Sequence, residues 1–175
     1  ELDDLVQTFN DELVQCHGKR TFKTPFPENT ILTKSDIPES GEVERNLKRG
    51  YQRLVGSLLW VVRHVAPMCA YGCSQLCKLM AVPTDAAWKA ALHMLRYLEA
   101  NKGLGITFSE CESPPCAFVD ASNRDDPTDG KTQYGYVVWW GGPLVAKSGK
   151  LSHVGINSTY NEYMALHHCV KQTVW

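Results

Sequence analysis

Ala117-Phe118-Val119-Asp120, then Tyr134-Gly135-Tyr136-Val137-Val138-Trp139-Trp140-Gly141-Gly142-Pro143-Leu144-Val145-Ala146, then Thr159-Tyr160-Asn161-Glu162, are the stretches that decide the fold. The first two are β-prone, and Gly141-Gly142-Pro143 divides the longer into an outgoing strand, a turn and a returning strand. Ile106-Thr107-Phe108 is a further short β-prone run, and Ser152 to Ile156 is expected to add a third strand to the meander. Thr159-Tyr160-Asn161-Glu162 is a capping-box pattern that opens a helix carrying Tyr163, Leu166, Val170 and Val174.

Toward the N-terminus the texture is helical. Leu2, Leu5, Val6, Phe9 and Leu13 predict an amphipathic helix over 2–14, ending before His17-Gly18. Thr21 to Gly50 holds Pro25, Pro27 and Pro38 with little periodicity and reads as a connector. Tyr51 to Met80 is helix-compatible in two pieces, the second started by Pro67. Thr84 offers an N-cap to a helix with a stripe of Trp88, Ala91, Leu92, Leu95 and Leu98, which stops near Asn101-Lys102-Gly103. The expected class is α/β (α+β), divided into residues 1–103, with a connector to 50 and helices over 51–101, and residues 104–175.

Composition narrows the function classes. A chain of 175 residues with 43% hydrophobic side chains buries a real core, which excludes disorder as the main state. The formal net charge of -1 argues against a strongly basic nucleic-acid coat or a polybasic membrane binder. That balance conceals segregation: residues 1–50 carry 7 basic and 10 acidic side chains, residues 51–109 carry 6 and 2, and residues 110–175 carry 5 and 7. Arg63, His64, Pro67 and Lys78 interrupt the apolar stretch from Leu54 to Val82, so no membrane crossing is expected. Glu1-Leu2-Asp3-Asp4 has none of the character of a signal peptide, and both ends, Glu1 and Trp175, read as cuts in a longer chain. Seven cysteines, an odd number, favour reduced thiols in an intracellular compartment. Cys69, Cys73 and Cys77 recur every four residues, but without Cys-x-x-Cys pairs core packing is favoured over zinc. Cys111, Cys116 and His167-His168-Cys169 receive the same reading.

Chemistry gathers around Asp120, at the end of an apolar strand and followed by a loop containing Asp125, Asp126 and Asp129. A carboxylate projecting from a strand end suits a divalent cation, because hard cations take oxygen ligands. Glu162 either reaches the same crevice or closes the capping box with Thr159, and spacing alone does not choose.

A longer series of residues carries a resemblance. Tyr51-Gln52-Arg53-Leu54-Val55-Gly56-Ser57-Leu58-Leu59-Trp60, Pro67, Ser74-Gln75-Leu76, Pro83-Thr84, Trp88 to Leu92 and Leu95-Arg96-Tyr97-Leu98 resemble the segment after the polymerase palm in copia-type LTR retrotransposon polyproteins. Asp120-Ala121, Asp126-Pro127, Lys131-Thr132, Gly135-Tyr136-Val137, Gly142-Pro143, Lys147-Ser148, Ser158-Thr159 and Glu162 to Leu166 are similar to that family's ribonuclease H domain. The series covers most of residues 45–175 in one collinear order.

The resemblance implies a ribonuclease H-like mixed sheet, truncated after its first helix and preceded by a small helical thumb or connection segment. It implies hydrolysis of the RNA strand of an RNA–DNA hybrid by four acidic residues and two Mg²⁺, with Mn²⁺ an alternative ion. Asp120 matches the first acid, as the ligand bridging both ions, and Glu162 the second, as a ligand to one ion near the 2′-OH. Lys78, Lys89, Arg96 and Lys102 either touch hybrid backbone or form an ordinary exposed helix face. The implied partners are the hybrid and the remainder of the polyprotein, with no membrane, in the cytoplasm or a virus-like particle. Ser122 stands where the family usually has a second Asp, and Tyr160-Asn161 where an acidic pair is common. The palm and two acids are outside this stretch, so on this reading it acts only within a longer chain. The competing expectations are a catalytically inactive remnant serving as a folding or interaction module, and a zinc module built on the cysteines.

Overall fold

The computed structural model describes residues 2–28, 30, 32–33, 41–122 and 128–174. The chain is mixed α/β and divides into two compact units, Glu1–Gly105 and Ile106–Trp175.

The first unit is helical. Leu5, Phe9 and Leu13 recur every four residues and are buried, but the helix they predict is broken at Phe9 into α1 (Leu2–Thr8) and α2 (Asn10–His17). The Thr8 hydroxyl donates to the Asp4 carbonyl at 2.8 Å beside the break, a local bond that competes with helix continuation. The expected connector contains a helix, α3 (Glu42–Lys48), which tertiary bonds hold more than propensity does. Fully buried Asn46 donates to the Pro83 carbonyl and to Asp85 (2.9 Å), Arg45 pairs with Asp85 at 2.6 Å, and Glu42 accepts the Asp85 N–H. Burial alone would raise the Asp85 carboxyl, but the Asn46 and Arg45 hydrogen bonds and the charges of Arg45 and Arg49 hold it below the ordinary value.

Next come α4 (Tyr51–His64), a 3₁₀ turn over Pro67–Cys69, α5 (Ala70–Cys77) and α6 (Asp85–Ala100). Pro67 starts the second piece as its fixed φ predicts, and Thr84 caps α6 by accepting the Ala87 N–H at 3.2 Å. Buried Tyr51 packs with Leu54, Leu58, Leu76, Leu92 and Leu95, and its hydroxyl donates to the Leu76 carbonyl at 2.9 Å. Gly72 permits close packing: a Cβ there would lie 2.7 Å from both the Phe26 ring and the Met94 methyl. His93 stacks on Phe22 (3.7 Å, 19°) with its Nε2 2.9 Å from the Thr24 carbonyl, which pins residues 22–24 to α6.

The second unit is a three-stranded antiparallel sheet in the order β1 (Cys116–Ala121), β2 (Gln133–Trp139), β3 (Pro143–Lys150), followed by α7 (Ser158–Thr173). Among the described residues the sheet has no parallel pair, so it is antiparallel where a mixed sheet was expected. Ser152 to Ile156 forms no strand but leads into α7. Ile106-Thr107-Phe108 is also irregular; it lies against the β2–β3 turn, where the Ser109 N–H donates to the Gly141 carbonyl at 2.9 Å. Gly141, at φ +64°, and Gly142 permit this: a Cβ on either would meet the backbone of 107–109.

The helix begins two residues earlier than the capping box requires. Asn157 is the N-cap, its side chain accepting the Tyr160 N–H at 2.8 Å, so Thr159 lies inside the first turn. The face turned to the core is Asn161, Ala165 and Cys169, packed with Tyr134, Tyr136, Val138 and Leu151. The Asn161 carboxamide fills the space that a Cβ on Gly155 would occupy. Tyr163, Leu166, Val170 and Val174, the apolar stripe of the sequence, are exposed. Among the described residues no helix is long and apolar enough to cross a membrane.

Candidate functional site

Asp120 stands one residue before the end of β1, opposite Gly135 of β2, and is exposed. Its Oδ1 accepts the Ala121 N–H at 2.9 Å. Val119 and Ala121 pack on the core beneath α7, so strand alternation sets Asp120 on the other sheet face. Glu162 lies in the second turn of α7, beside buried Asn161, and is exposed. Because Asn157 caps the helix, the capping role that competed for Glu162 is taken; among the described residues it has no hydrogen-bond or ion-pair partner. Each carboxylate is a hard oxygen donor, the kind a divalent cation takes, and among the described residues neither has a lysine or arginine partner, but Asp120 lies on the sheet face opposite α7. Among the described residues no three His, Cys, Asp or Glu side chains are placed to share a metal ion.

The other loop acids divide. Asp129 is held by Lys150 (2.8 Å) and Lys131 (3.7 Å), which explains it as a local charge clamp. Asp125 and Asp126 lie outside the described residues. Ser122 closes the β1–β2 ladder: its N–H and hydroxyl both donate to the Gln133 carbonyl, and its Oγ accepts the Gln133 N–H.

The four basic residues of the first unit differ from one another. Arg96 is 13% exposed, paired with Glu99 at 2.6 Å and donating to the Gly18 carbonyl at 2.7 Å. Lys102 pairs with Asp3 at 3.0 Å, and Lys78 donates to Gln75 at 2.8 Å. Lys89 is exposed and lines a cavity of about 240 Å³ with Glu12, Gln15, Cys16, Arg49, Asp85 and Trp88. Three of the four are thus engaged within the unit.

All seven cysteines are free. Cys69 and Cys73 are buried, as core packing requires, and burial pushes the Cys69 thiol up to about 12. The hydrogen bond between Cys73 and Cys77 raises the first thiol and lowers the second.

One set of groups escaped the sequence reading. Lys147 on β3, His153 in the following loop, and His167 and Lys171 on α7 all act electrostatically on His168 of α7. His168 stacks on Tyr134 (4.7 Å, 8°), and His153 shares a hydrogen bond with the Tyr160 hydroxyl at 3.0 Å. Burial, then the electrostatic influence of His167, Lys147, Lys171 and His153, holds the His168 ring below its ordinary value. Their separation along the chain left no local signal.

No family model matches the chain, and no solved structure matches it. Among curated proteins it is similar to the retrovirus-related Pol polyprotein from transposon TNT 1-94 of Nicotiana tabacum, 26% identical over 176 residues that take in 99% of this chain and 13% of that protein. It is 28% identical over 151 residues to the corresponding polyprotein from transposon RE2 of Arabidopsis thaliana, covering 85% of this chain and 10% of that protein. Secreted RxLR effector protein 161 of Plasmopara viticola is 27% identical over 127 residues, 71% of this chain and 89% of that protein. The chain therefore spans only about a tenth of the length of the polyproteins it is similar to.

Proposed function

We propose that this chain is a segment of a retroelement Pol polyprotein, the tail of a copia-type reverse transcriptase joined to the front of its ribonuclease H domain. The observation that carries the reading is similarity to a transposon Pol polyprotein along 99% of the chain. The order of three antiparallel strands and then a helix, with Asp120 near the end of β1 and Glu162 near the start of α7, supports the finer assignment.

In this reading Asp120 and Glu162 are two of four acids that act together in the longer chain on the RNA strand of an RNA–DNA hybrid. Asp120 and Glu162 would hold Mg²⁺, which when bound supplies an activated water and stabilises the leaving oxygen. The residues of this chain place the acids. The β1–β2 ladder, closed by Ser122, fixes the backbone at Asp120, and Asn157 and Asn161 fix the start of α7 and so Glu162. Titrating Mg²⁺ against a longer chain that includes the downstream reading frame, with its thermal midpoint as readout, tests this. Stabilisation by Mg²⁺ that Asp120→Asn removes is expected; an identical response from both proteins rejects it.

A second reading is favoured by one observation. The similarity to the Plasmopara viticola protein takes in 89% of that protein, so a chain of roughly this extent stands without a polyprotein around it. On this second reading the present chain serves as a folding or interaction module without catalysis, and the same titration separates the two readings.

A further inference from the structure

We propose that Cys73 and Cys77 form a two-thiolate site for a soft, two-coordinate metal ion, Cu(I). The site lies in the helical unit and involves neither of the candidate acids, so it stands apart from the cleavage reading.

Both residues belong to α5, Cys77 as its last residue and Cys73 one turn before it. Residues four apart on a helix stand one above the other, with Cβ atoms about 5–6 Å apart, so a single ion spans their sulfurs without moving the backbone. No disulfide ties up either thiol, and the two share a hydrogen bond. Cys73 belongs to the buried apolar cluster, whereas Cys77 is half-buried at its edge. An ion therefore meets an accessible thiol first and a shielded second ligand directly behind it.

The number of ligands decides the metal. Thiolates are soft donors and select Cu(I), zinc or iron–sulfur clusters. Structural zinc and the clusters take four protein ligands. Among the described residues no three His, Cys, Asp or Glu side chains are placed to share an ion, so fully buried Cys69, one turn further back, does not extend the pair to such a set. Cu(I), with a filled d shell, is satisfied by two thiolates in line. Binding replaces both thiol protons, which pass to solvent, and leaves a bis-thiolate complex with one negative charge. The Arg63 guanidinium of α4 acts on both cysteines and offsets that charge.

The test titrates the whole reduced chain, without oxygen, with tetrakis(acetonitrile)copper(I) in competition with bathocuproine disulfonate. A tightly held ion is expected, with a thiolate-to-copper absorption in the ultraviolet and release of both protons into a weakly buffered solution. Cys111→Ser/Cys116→Ser, in the other unit, should retain that ion. Cys77→Ala should weaken its binding by more than about a hundredfold, beyond what loss of a merely supporting group costs. Cys77→Met, which keeps a soft sulfur, should recover part of the affinity, and Cys77→Leu, of similar volume, should recover none. Unchanged binding in Cys77→Ala, loss of binding in Cys111→Ser/Cys116→Ser, equal binding by the Cys77→Met and Cys77→Leu variants, or Zn²⁺ held as tightly as Cu(I) overturns the proposal. So does failure of the unmodified chain to hold any copper against the chelator.

Discussion

Among the described residues, twenty-four apolar side chains are buried in one cluster of the helical unit, while the strand-and-helix unit buries six. The second unit also leaves Phe118 64% exposed, Tyr163 71% and Ile156 81%, on a strand, a helix and a loop. Helices α4, α5 and α6 enclose one another's apolar stripes, whereas β1 to β3 and α7 cover one face of a sheet and one face of a helix. The difference therefore lies in the size of the buried cluster, since the helical unit also exposes apolar side chains such as Trp60, Met68 and Tyr71.

The largest expected effects break or sharpen that contrast directly. Leu54→Ala and Leu92→Ala, both fully buried, should each cost about 2–5 kcal/mol in a denaturant titration. Phe118→Ser or Ile156→Ser should cost less than about 0.5 kcal/mol while reducing binding of an apolar dye. Equal losses in the two units would erase the distinction. Next in size, Gly72→Ala should cost about 1–3 kcal/mol, since its methyl meets Phe26 and Met94 in the tight core.

Smaller effects probe how each unit is pinned. Asn157→Ala should destabilise α7 by about 1 kcal/mol, seen as faster amide exchange in its first turn, while Thr159→Ala should leave the exchange unchanged. The reverse result would restore the capping box, and with it a structural role for Glu162. In the helical unit, burial holds His17 and His93 below their ordinary value of 6.5. The unfolded chain then binds more protons, so stability should be full above about pH 6.5 and decline as the pH falls below it. A helical-unit transition insensitive to pH between about 5 and 7 would contradict the pinning of residues 22–24 by His93.

The sequence showed most clearly what depends on local spacing. Pro67, the Thr84 cap and the α6 stripe were legible because each acts within a turn or two of its own position. So was the hairpin around Gly141-Gly142-Pro143. Helix α3 was not, because buried Asn46 and its bonds to Pro83 and Asp85 join residues far apart in the chain. The buried face of α7 was misread for a related reason. Apolarity pointed to Tyr163, Leu166 and Val170, whereas close packing against Gly155 and the two tyrosines selected the smaller Asn161, Ala165 and Cys169. At the candidate site, Asp120 and Glu162 were named from motif position, but the N-cap that frees Glu162 emerged only with the helix boundary. The groups that act on His168 come from separated stretches of the chain, which spacing alone does not reveal.

The central claim, that Asp120 and Glu162 belong to a ribonuclease H centre shared with downstream sequence, is tested most directly by cleavage. The longer chain, its Asp120→Asn variant and its Glu162→Gln variant are compared on an RNA–DNA hybrid and on a DNA duplex of the same sequence, with and without Mg²⁺. The account predicts Mg²⁺-dependent cleavage of the RNA strand of the hybrid alone, lost by at least about a hundredfold in either variant, the scale expected when a group acting directly at the reacting centre is removed. Cleavage that survives both substitutions, or no cleavage by the unmodified longer chain, would contradict it.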